Sequence, residues 1–315
     1  MLRRSALRMS LDYVNPRTLK GSFVSTYVEP VNPALYLPER SLKGKRILVT
    51  GGSRGIGLAI ALRAAQDGAM VAIAAKSVEE NPVLGGTIYS AAEEINKAGG
   101  VGLPIQVDIR SEEAVQRAVD KVVSEFGGLD ILINNASAIG LTSTSKTDMK
   151  RYDLMHTINA RGTYMVTKYC HAALKEGVNP HILTLSPPLN LDPKWLKPHV
   201  AYTMSKFGMS MCVVGHAEEF KDDKIAVNGL WPRTTIATAA VSNLLGGDAL
   251  MKMSRTPQIM ADAAHCVLTR RSDLCTGNLF LDDEVLASEG KGGEEALSKY
   301  AYKAGAPLVP DLYVF

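Results

Sequence analysis

Tyr202 and Lys206 fall one helical turn apart in Tyr202-Thr203-Met204-Ser205-Lys206, so a helix through them sets a phenol and an ammonium on one face. A tyrosine ordinarily titrates near pH ~10. It exchanges a proton with an alcohol or carbonyl oxygen at neutral pH only when a nearby cation helps it do so. Such a pair is also common on plain surface helices, so its meaning depends on what accompanies it. Far upstream, Thr50-Gly51-Gly52-Ser53-Arg54-Gly55-Ile56-Gly57 lies between an apolar run and a helical period. Glycines in that place permit a tight turn. They also let a pyrophosphate approach the unpaired N–H groups at a helix N-terminus, where about half a positive charge resides.

The end of the second apolar run decides which dinucleotide such a turn suits. Ala74-Ala75-Lys76-Ser77 contains no acid to hold a ribose 2′-hydroxyl. Lys76, together with Arg54 in the glycine turn, offers two cations to a 2′-phosphate, so NADP(H) is preferred over NAD(H).

The elements that must position these residues alternate regularly. Arg46 to Thr50 reads as a buried strand, Ile56 to Asp67 as a helix closed by Gly68, and Met70 to Ala75 as a second strand. A connector with Pro82, Gly85 and Gly86 leads to a helix near Ile88–Lys97, then to a third strand ending at Val107-Asp108. Ser111, Glu112 and Glu113 start a helix well, and Ile131-Leu132-Ile133 follows as the fourth strand. Asp153 to His171 and Tyr202 to Phe220 read as long helices and Pro257 to Thr269 as a shorter one. Ile182 to Leu185, Ile225 to Leu230 and Asn278 to Leu281 complete seven strands. Continuously apolar strands separated by helices predict a parallel sheet covered on both faces, in one domain over residues 43–285. Residues 286–315 form a tail whose apolar end, through Leu312, Tyr313 and Phe315, packs on the domain or across an interface.

Composition narrows the classes. With 46% hydrophobic and 21% charged residues in 315, the chain resembles a globular protein. The net charge is +3, and the first 28 residues hold Arg3, Arg4, Arg8, Arg17 and Lys20 against Asp12 alone, which leaves a nearly neutral body. Nucleic acid is therefore not an expected partner, because that affinity needs many cationic phosphate contacts. No run approaches the roughly 20 apolar residues of a membrane span. Cys170, Cys212, Cys266 and Cys275 show no metal or disulfide spacing, and His156, His171, His181, His199, His216 and His265 are isolated, so no metal site is expected. Residues 1–40 read as an extension: Arg-rich, Ser-containing and acid-poor, as in a mitochondrial transit peptide. The alternatives are a solvated tail or an extended arm, which Pro16, Pro30, Pro33 and Pro38 suit, with a cytoplasmic or peroxisomal location.

The glycine turn, Asn134-Asn135-Ala136-Ser137, Asn159 in Ile158-Asn159-Ala160-Arg161-Gly162-Thr163, and Tyr202 with Lys206 occur in the order and approximate spacing of the short-chain dehydrogenase/reductase family. The resemblance spans about Lys43 to Asp283. It implies a Rossmann-type doubly wound sheet and an oxidoreductase that interconverts a carbonyl and a secondary alcohol, on a small-molecule substrate that is lipid-like or acyl. It further implies that Tyr202 is the acid/base, that Lys206 lowers its pKa and holds the nicotinamide ribose, and that Asn159 anchors a relay water. In the same way Gly51, Ser53, Arg54, Gly55, Ile56 and Gly57 hold the pyrophosphate, and Asp108 bonds the adenine amino group. Asn135 and Ala136 support the cofactor wall, and Ile236 faces the carboxamide. Family members commonly associate through the two long helices, so a homodimer or homotetramer is expected.

Two departures from the family pattern stand out. Ser137 occupies a place usually held by glycine. The serine that polarises the substrate carbonyl falls by strand count on Pro187, which donates no hydrogen bond, and by its interval from Tyr202 on Leu189. Ser186 is then the nearest hydroxyl, with Asn190 as a substitute donor. This motivates an alternative reading: a weak or inactive NADP(H)-binding sensor or subunit.

Overall fold

The structure, a computed structural model, describes residues 31–80 and 85–314. Most of the N-terminal extension and Pro82 lie outside the described residues. Seven strands form one parallel sheet: β1 Arg46–Thr50, β2 Met70–Ala75, β3 Val101–Gln106, β4 Ile131–Asn134, β5 His181–Thr184, β6 Ala226–Trp231 and β7 Leu279–Leu281. Their order across the sheet is β3-β2-β1-β4-β5-β6-β7, the doubly wound Rossmann-type arrangement. The order reverses between β1 and β4, and a crevice must open beyond the carboxyl ends of those two strands.

Alternation along each strand feeds two apolar layers. Ile47, Val49, Val71, Ile73, Ile131 and Ile133 pack with α1 (Gly55–Gln66), α2 (Ile88–Lys97) and α9 (Gln258–Leu268) on one face. Leu48, Ala72, Leu132, Ile182 and Val227 pack with α3 (Glu112–Phe126), α5 (Gly162–Lys175) and α7 (Val200–Glu219) on the other. The starts of α2 and α3 follow the sequence reading. Ser111 Oγ accepts from Ala114 N at the head of α3, and Gly127 closes that helix with φ 73°, a conformation glycine adopts without strain. Thr87 and Ser90 form a reciprocal capping box on α2.

Asp130, just ahead of β4, ties three elements together. It accepts from Arg46 N, Nε and Nη2 at 2.7 to 2.9 Å and from Val178 N at 2.7 Å, fixing the entries of β1 and β4 and the approach to β5. The strands' other ends, where the crevice lies, are thereby held in register.

The single long helix expected over Asp153–His171 begins earlier and is interrupted. α4 (Met149–His156) joins α5 through a π turn at Thr157–Arg161. A π turn inserts one residue into the helical ladder and often marks a functional position; Asn159 sits inside this one. The third strand stops at Gln106, two residues short of the expected end. Between β5 and α7 a short helix α6 (Pro193–Leu196) forms, and α8 (Gly247–Lys252), α10 (Asp282–Ser288) and α11 (Glu294–Ser298) complete the described α-helices.

The segments flanking the sheet dock onto it. Arg271 N donates to Leu35 O, Val31 N to Ser288 O, and the Tyr36 ring lies under the Arg40 guanidinium at 3.4 Å. The C-terminal end packs on the same chain's domain: Tyr300 joins the first apolar layer and Tyr313 is wholly buried.

Candidate active site

The glycine turn after β1 is braced by the segment after β4. Thr50 Oγ1 accepts from Asn135 N and Ala136 N, both at 3.1 Å, and Asn135 Nδ2 donates to Thr50 O (3.0 Å) and Gly51 O (2.9 Å). This close approach explains two of the glycines. A Cβ on Gly51 would lie 2.8 Å from Ala136 Cα, and one on Gly57 would lie 2.4 Å from Asn135 Nδ2. α1 opens just beyond, with Arg54 in the N-cap place and no side chain bonded to the first N–H groups. Those donors, and the dipole they terminate, face the mouth of the crevice. Ser53 is buried there, Gly55 has φ 59°, and Ile56 packs partly against the first apolar layer.

The cationic side of the crevice is also assembled. Arg54 Nη2 donates to Ser77 Oγ (2.7 Å) and Gly86 O (3.0 Å), while its buried Nε has no partner among the described residues. Burial lowers the Arg54 pKa from its ordinary value. Lys76 Nζ lies 3.9 Å from Asp108 Oδ2 and is more than half exposed. Asp108 is held below the usual carboxylate range, first by the Arg110 guanidinium bonded to it and then by the charge of Lys76.

At the other end, Asn159 is fully buried in the π turn. Its Oδ1 accepts from Ala138 N (2.7 Å), and its Nδ2 donates to Ala138 O and Ser205 Oγ, each at 2.9 Å. Ser205 Oγ in turn donates to Tyr202 O at 2.8 Å. One amide therefore joins the loop after β4 to the turn of α7 that carries the tyrosine. Tyr202 and Lys206 are both buried on the inward side of α7. Lys206 Nζ donates to Leu185 O at 2.6 Å, just past the end of β5, contacts Met209 Sδ at 3.2 Å, and lies over the Trp231 ring at 4.9 Å.

Electrostatics at this pair differ from the sequence expectation. The Tyr202 phenol is raised well above its ordinary value, first by burial and then by Tyr313 and Asp311, rather than lowered by Lys206. Burial instead draws Lys206 down to about 7, with Asp311 acting to raise it. Loss of water dominates at both groups, because desolvation penalises phenolate and ammonium alike. The phenol therefore stays protonated at neutral pH, a state suited to donating a proton.

Ser186 is fully buried, and its Oγ has no hydrogen-bond partner among the described residues. It points toward β6, since a Cβ on Gly229 would lie 3.1 Å from it. Asn190 is buried as well and directs Nδ2 to Tyr313 O at 3.4 Å. Ile236 sits in the first apolar layer on a segment bridged to Arg255. Of the methionines on α7, Met209 is buried against Lys206 while Met204 and Met211 are exposed.

Sequence reasoning missed Thr203, Trp231 and the last residues of the chain as parts of this site. The Tyr313 hydroxyl bonds Thr203 Oγ1 at 3.0 Å, and its ring meets those of Trp195, His199, Phe207 and Trp231 at centroid distances of 5.2 to 6.2 Å. The aromatic, apolar ending Asp311-Leu312-Tyr313-Val314 was the signal available.

Comparisons agree with this geometry. A family model described as short chain dehydrogenase matches residues 45–245. The chain is 54% identical over 273 residues to hydroxysteroid dehydrogenase-like protein 2 of Xenopus laevis, covering 87% of this chain and 64% of that relative. Among solved structures, a putative dehydrogenase from Xanthomonas campestris is 52% identical, with a TM-score of 0.84 and coverage of 87% of this chain and 99% of the other. A short chain dehydrogenase from Mycobacterium thermoresistibile is 55% identical at a TM-score of 0.82, with coverage of 87% and 96%.

The bracing of the glycine turn is testable by stability. Gly57→Ala should cost about 1–3 kcal/mol in urea denaturation, because the new methyl overlaps the Asn135 amide. In an Asn135→Ala background the same substitution should cost clearly less. Equal penalties in both backgrounds would refute the contact.

Proposed function

The chain belongs to the short chain dehydrogenase family, and from that premise we propose that it is an NADP(H)-dependent oxidoreductase interconverting a carbonyl and a secondary alcohol. The observation that carries this reading is the pair Tyr202 and Lys206, buried side by side on α7 at the carboxyl ends of the central strands. The residues present fit a dinucleotide. The glycine cradle leaves no room for a Cβ at Gly51 or Gly57, and α1 begins without a side-chain cap. When bound, the nicotinamide group supplies or accepts the hydride.

The chain's own residues supply the rest. Gly51, Ser53, Gly55, Ile56 and Gly57 with the head of α1 hold the pyrophosphate, and Asn135 with Ala136 keeps that turn in place. Arg54 and Lys76 receive the 2′-phosphate, and no acid at the end of β2 repels it. Asp108, ionised by its Arg110 partner, accepts from the adenine amino group. Ile236 lines the carboxamide side. In the reducing direction Tyr202 donates its proton to the substrate oxygen, and Lys206 holds the ribose. Asn159 keeps the loop after β4 against α7, so that the proton path stays fixed.

A lipid-like or acyl substrate is supported by the apolar and aromatic residues clustered with Tyr202, among them Ile139, Leu189, Trp195 and Trp231. The name of the frog relative points the same way. The chain spans 64% of that relative's length.

One observation favours a second reading, a dinucleotide-binding module with little turnover. Pro187 stands where a donor is expected, and the Ser186 hydroxyl is buried against β6. Losing one such donor costs on the order of a hundred- to a thousandfold in rate.

One set of proteins separates the two. NADPH binding is followed by fluorescence and oxidation is assayed on ketones, 3-ketoacyl thioesters and steroids. Tyr202→Phe should lose at least about a hundredfold in turnover while NADPH affinity changes little. Lys76→Asp should weaken NADPH more than NADH. Binding without Tyr202-dependent turnover on any substrate would support the module, and an unchanged NADPH/NADH ratio would contradict the cofactor choice.

Assembly as a homodimer or homotetramer is supported by apolar side chains standing exposed on the two long helices: Tyr164 on α5, and Met204, Met211 and Val214 on α7. Light scattering should show an oligomer that Met211→Glu dissociates; a monomeric wild type would overturn it. For the N-terminal segment we propose mitochondrial targeting, on its Arg-rich, acid-poor composition. Protein isolated from mitochondria of its own cells should begin near Val31. An intact Met1 terminus, or a cytoplasmic or peroxisomal location, would exclude targeting.

A further inference from the structure

The C-terminal segment is laid along the loop that follows β6 by backbone bonds: Val309 N donates to Met253 O and Thr235 N to Val309 O, both at 2.9 Å, and Asp311 N donates to Arg233 O at 3.0 Å. Two residues on, Tyr313 is wholly buried and has φ 70°. That left-handed backbone crowds the Cβ of any residue but glycine, and it persists only where the surroundings hold it. The contacts of the side chain supply that hold. Its hydroxyl meets Thr203 Oγ1 at 3.0 Å, and its ring packs against Phe207 at 5.2 Å, Trp195 at 5.9 Å, and His199 and Trp231 at 6.2 Å each.

Two routes lead from Tyr313 to the catalytic pair. Thr203 Oγ1 donates to Trp195 O at 3.3 Å, so its lone pairs are left to accept from the Tyr313 hydroxyl and from His199 Nδ1, 3.1 Å away. The His199 ring fixed in this way stands nearly perpendicular to the Tyr202 ring, with centroids 5.9 Å apart. On its other side Tyr313 abuts Trp231. The Trp231 indole N–H is spent on Leu312 O at 3.0 Å, and its face carries Lys206 Nζ at 4.9 Å. One side chain therefore touches a support of each member of the pair.

We propose that Tyr313 is a positioning residue for the reaction: anchored by the C-terminal segment, it fixes the His199 ring beside Tyr202 and the Trp231 ring beneath Lys206, and so sets where the phenol and the ammonium stand. The proposal rests on reading Tyr202 and Lys206 as the catalytic pair. It goes further by giving a task to a segment that lies beyond the matched family region, residues 45–245. Misplacing a reacting group by about 1 Å can cost about a hundredfold in rate, so loss of these supports is felt in turnover. The glycine turn is braced separately, by Thr50 and Asn135, so cofactor affinity is spared.

The test uses the full chain with two substitutions. Tyr313→Phe keeps the ring and removes the hydroxyl, whereas Tyr313→Asn suits a left-handed turn and removes the ring. Thermal melting checks folding, and Tyr313→Leu serves in place of the asparagine variant if that does not fold. Turnover is expressed per NADPH site titrated by fluorescence, so that loss of folded protein does not count as loss of rate. Tyr313→Asn should lower kcat at least about tenfold, with NADPH affinity within about twofold of wild type. Tyr313→Phe should lower kcat about threefold, and in a Thr203→Val background it should cost nothing more, because the hydroxyl has already lost its partner. Unchanged kcat per site in the folded variant without the ring overturns the proposal, as does a parallel loss of NADPH affinity, which would assign the effect to general loosening. A second readout needs no turnover. The chain has two tryptophans, so Trp195→Phe leaves Trp231 as the sole emitter. In that background Tyr313→Asn should shift the emission to the red and Tyr313→Phe should not. A wild type that turns over no substrate faults the proposed function, and the emission then decides the placing of Trp231 by Tyr313: a shift supports it and an unmoved spectrum overturns it.

Discussion

A positive charge withdrawn from water must be given other company, and Lys206 is where this fold meets that demand. Its ammonium takes the Leu185 carbonyl at the end of β5, the sulfur of Met209 one turn further along α7, and the face of Trp231 at the end of β6. Three elements that share no local sequence are pinned to one nitrogen. The same burial that makes these contacts short lowers the proton affinity of Lys206 and raises that of Tyr202, so both groups titrate away from their ordinary values for one cause.

The opposite side of the crevice rests on neutral hydrogen bonds. Thr50 and Asn135 exchange bonds across the point where the strand order reverses, and the close approach they enforce excludes side chains at Gly51 and Gly57. Asn159 performs the corresponding task for the chemical end, holding Ala138 and Ser205 through one buried amide. The two amides work differently: Asn135 spends its side-chain N–H groups on the carbonyls of Thr50 and Gly51, whereas Asn159 uses both the donor and the acceptor of its planar group.

The C-terminal segment closes around the chemical end. It runs antiparallel to the loop after β6, borrows the indole N–H of Trp231, and buries Tyr313 among rings contributed by α6, α7 and β6 and by the residue that precedes α7. Residues that the sequence presents as an appendage to the sheet thus form part of the wall around Tyr202 and Lys206.

The amino-acid order alone settled the alternation of strands and helices, the parallel sheet and the placing of a glycine turn at a helix start. These follow from local rules: apolar periodicity, helix caps and the conformational freedom of glycine act over a few residues. Through the family resemblance that its motifs carry, it also singled out Tyr202, Lys206, Asn159 and Asn135. The π turn at Asn159, the direction of the Ser186 hydroxyl and the reversal of the expected Tyr202 shift were decided only by tertiary structure. Burial and charge proximity are properties of residues distant in the chain, and a pKa is set by how much water is removed and by which charges remain, neither of which can be read from neighbours in sequence.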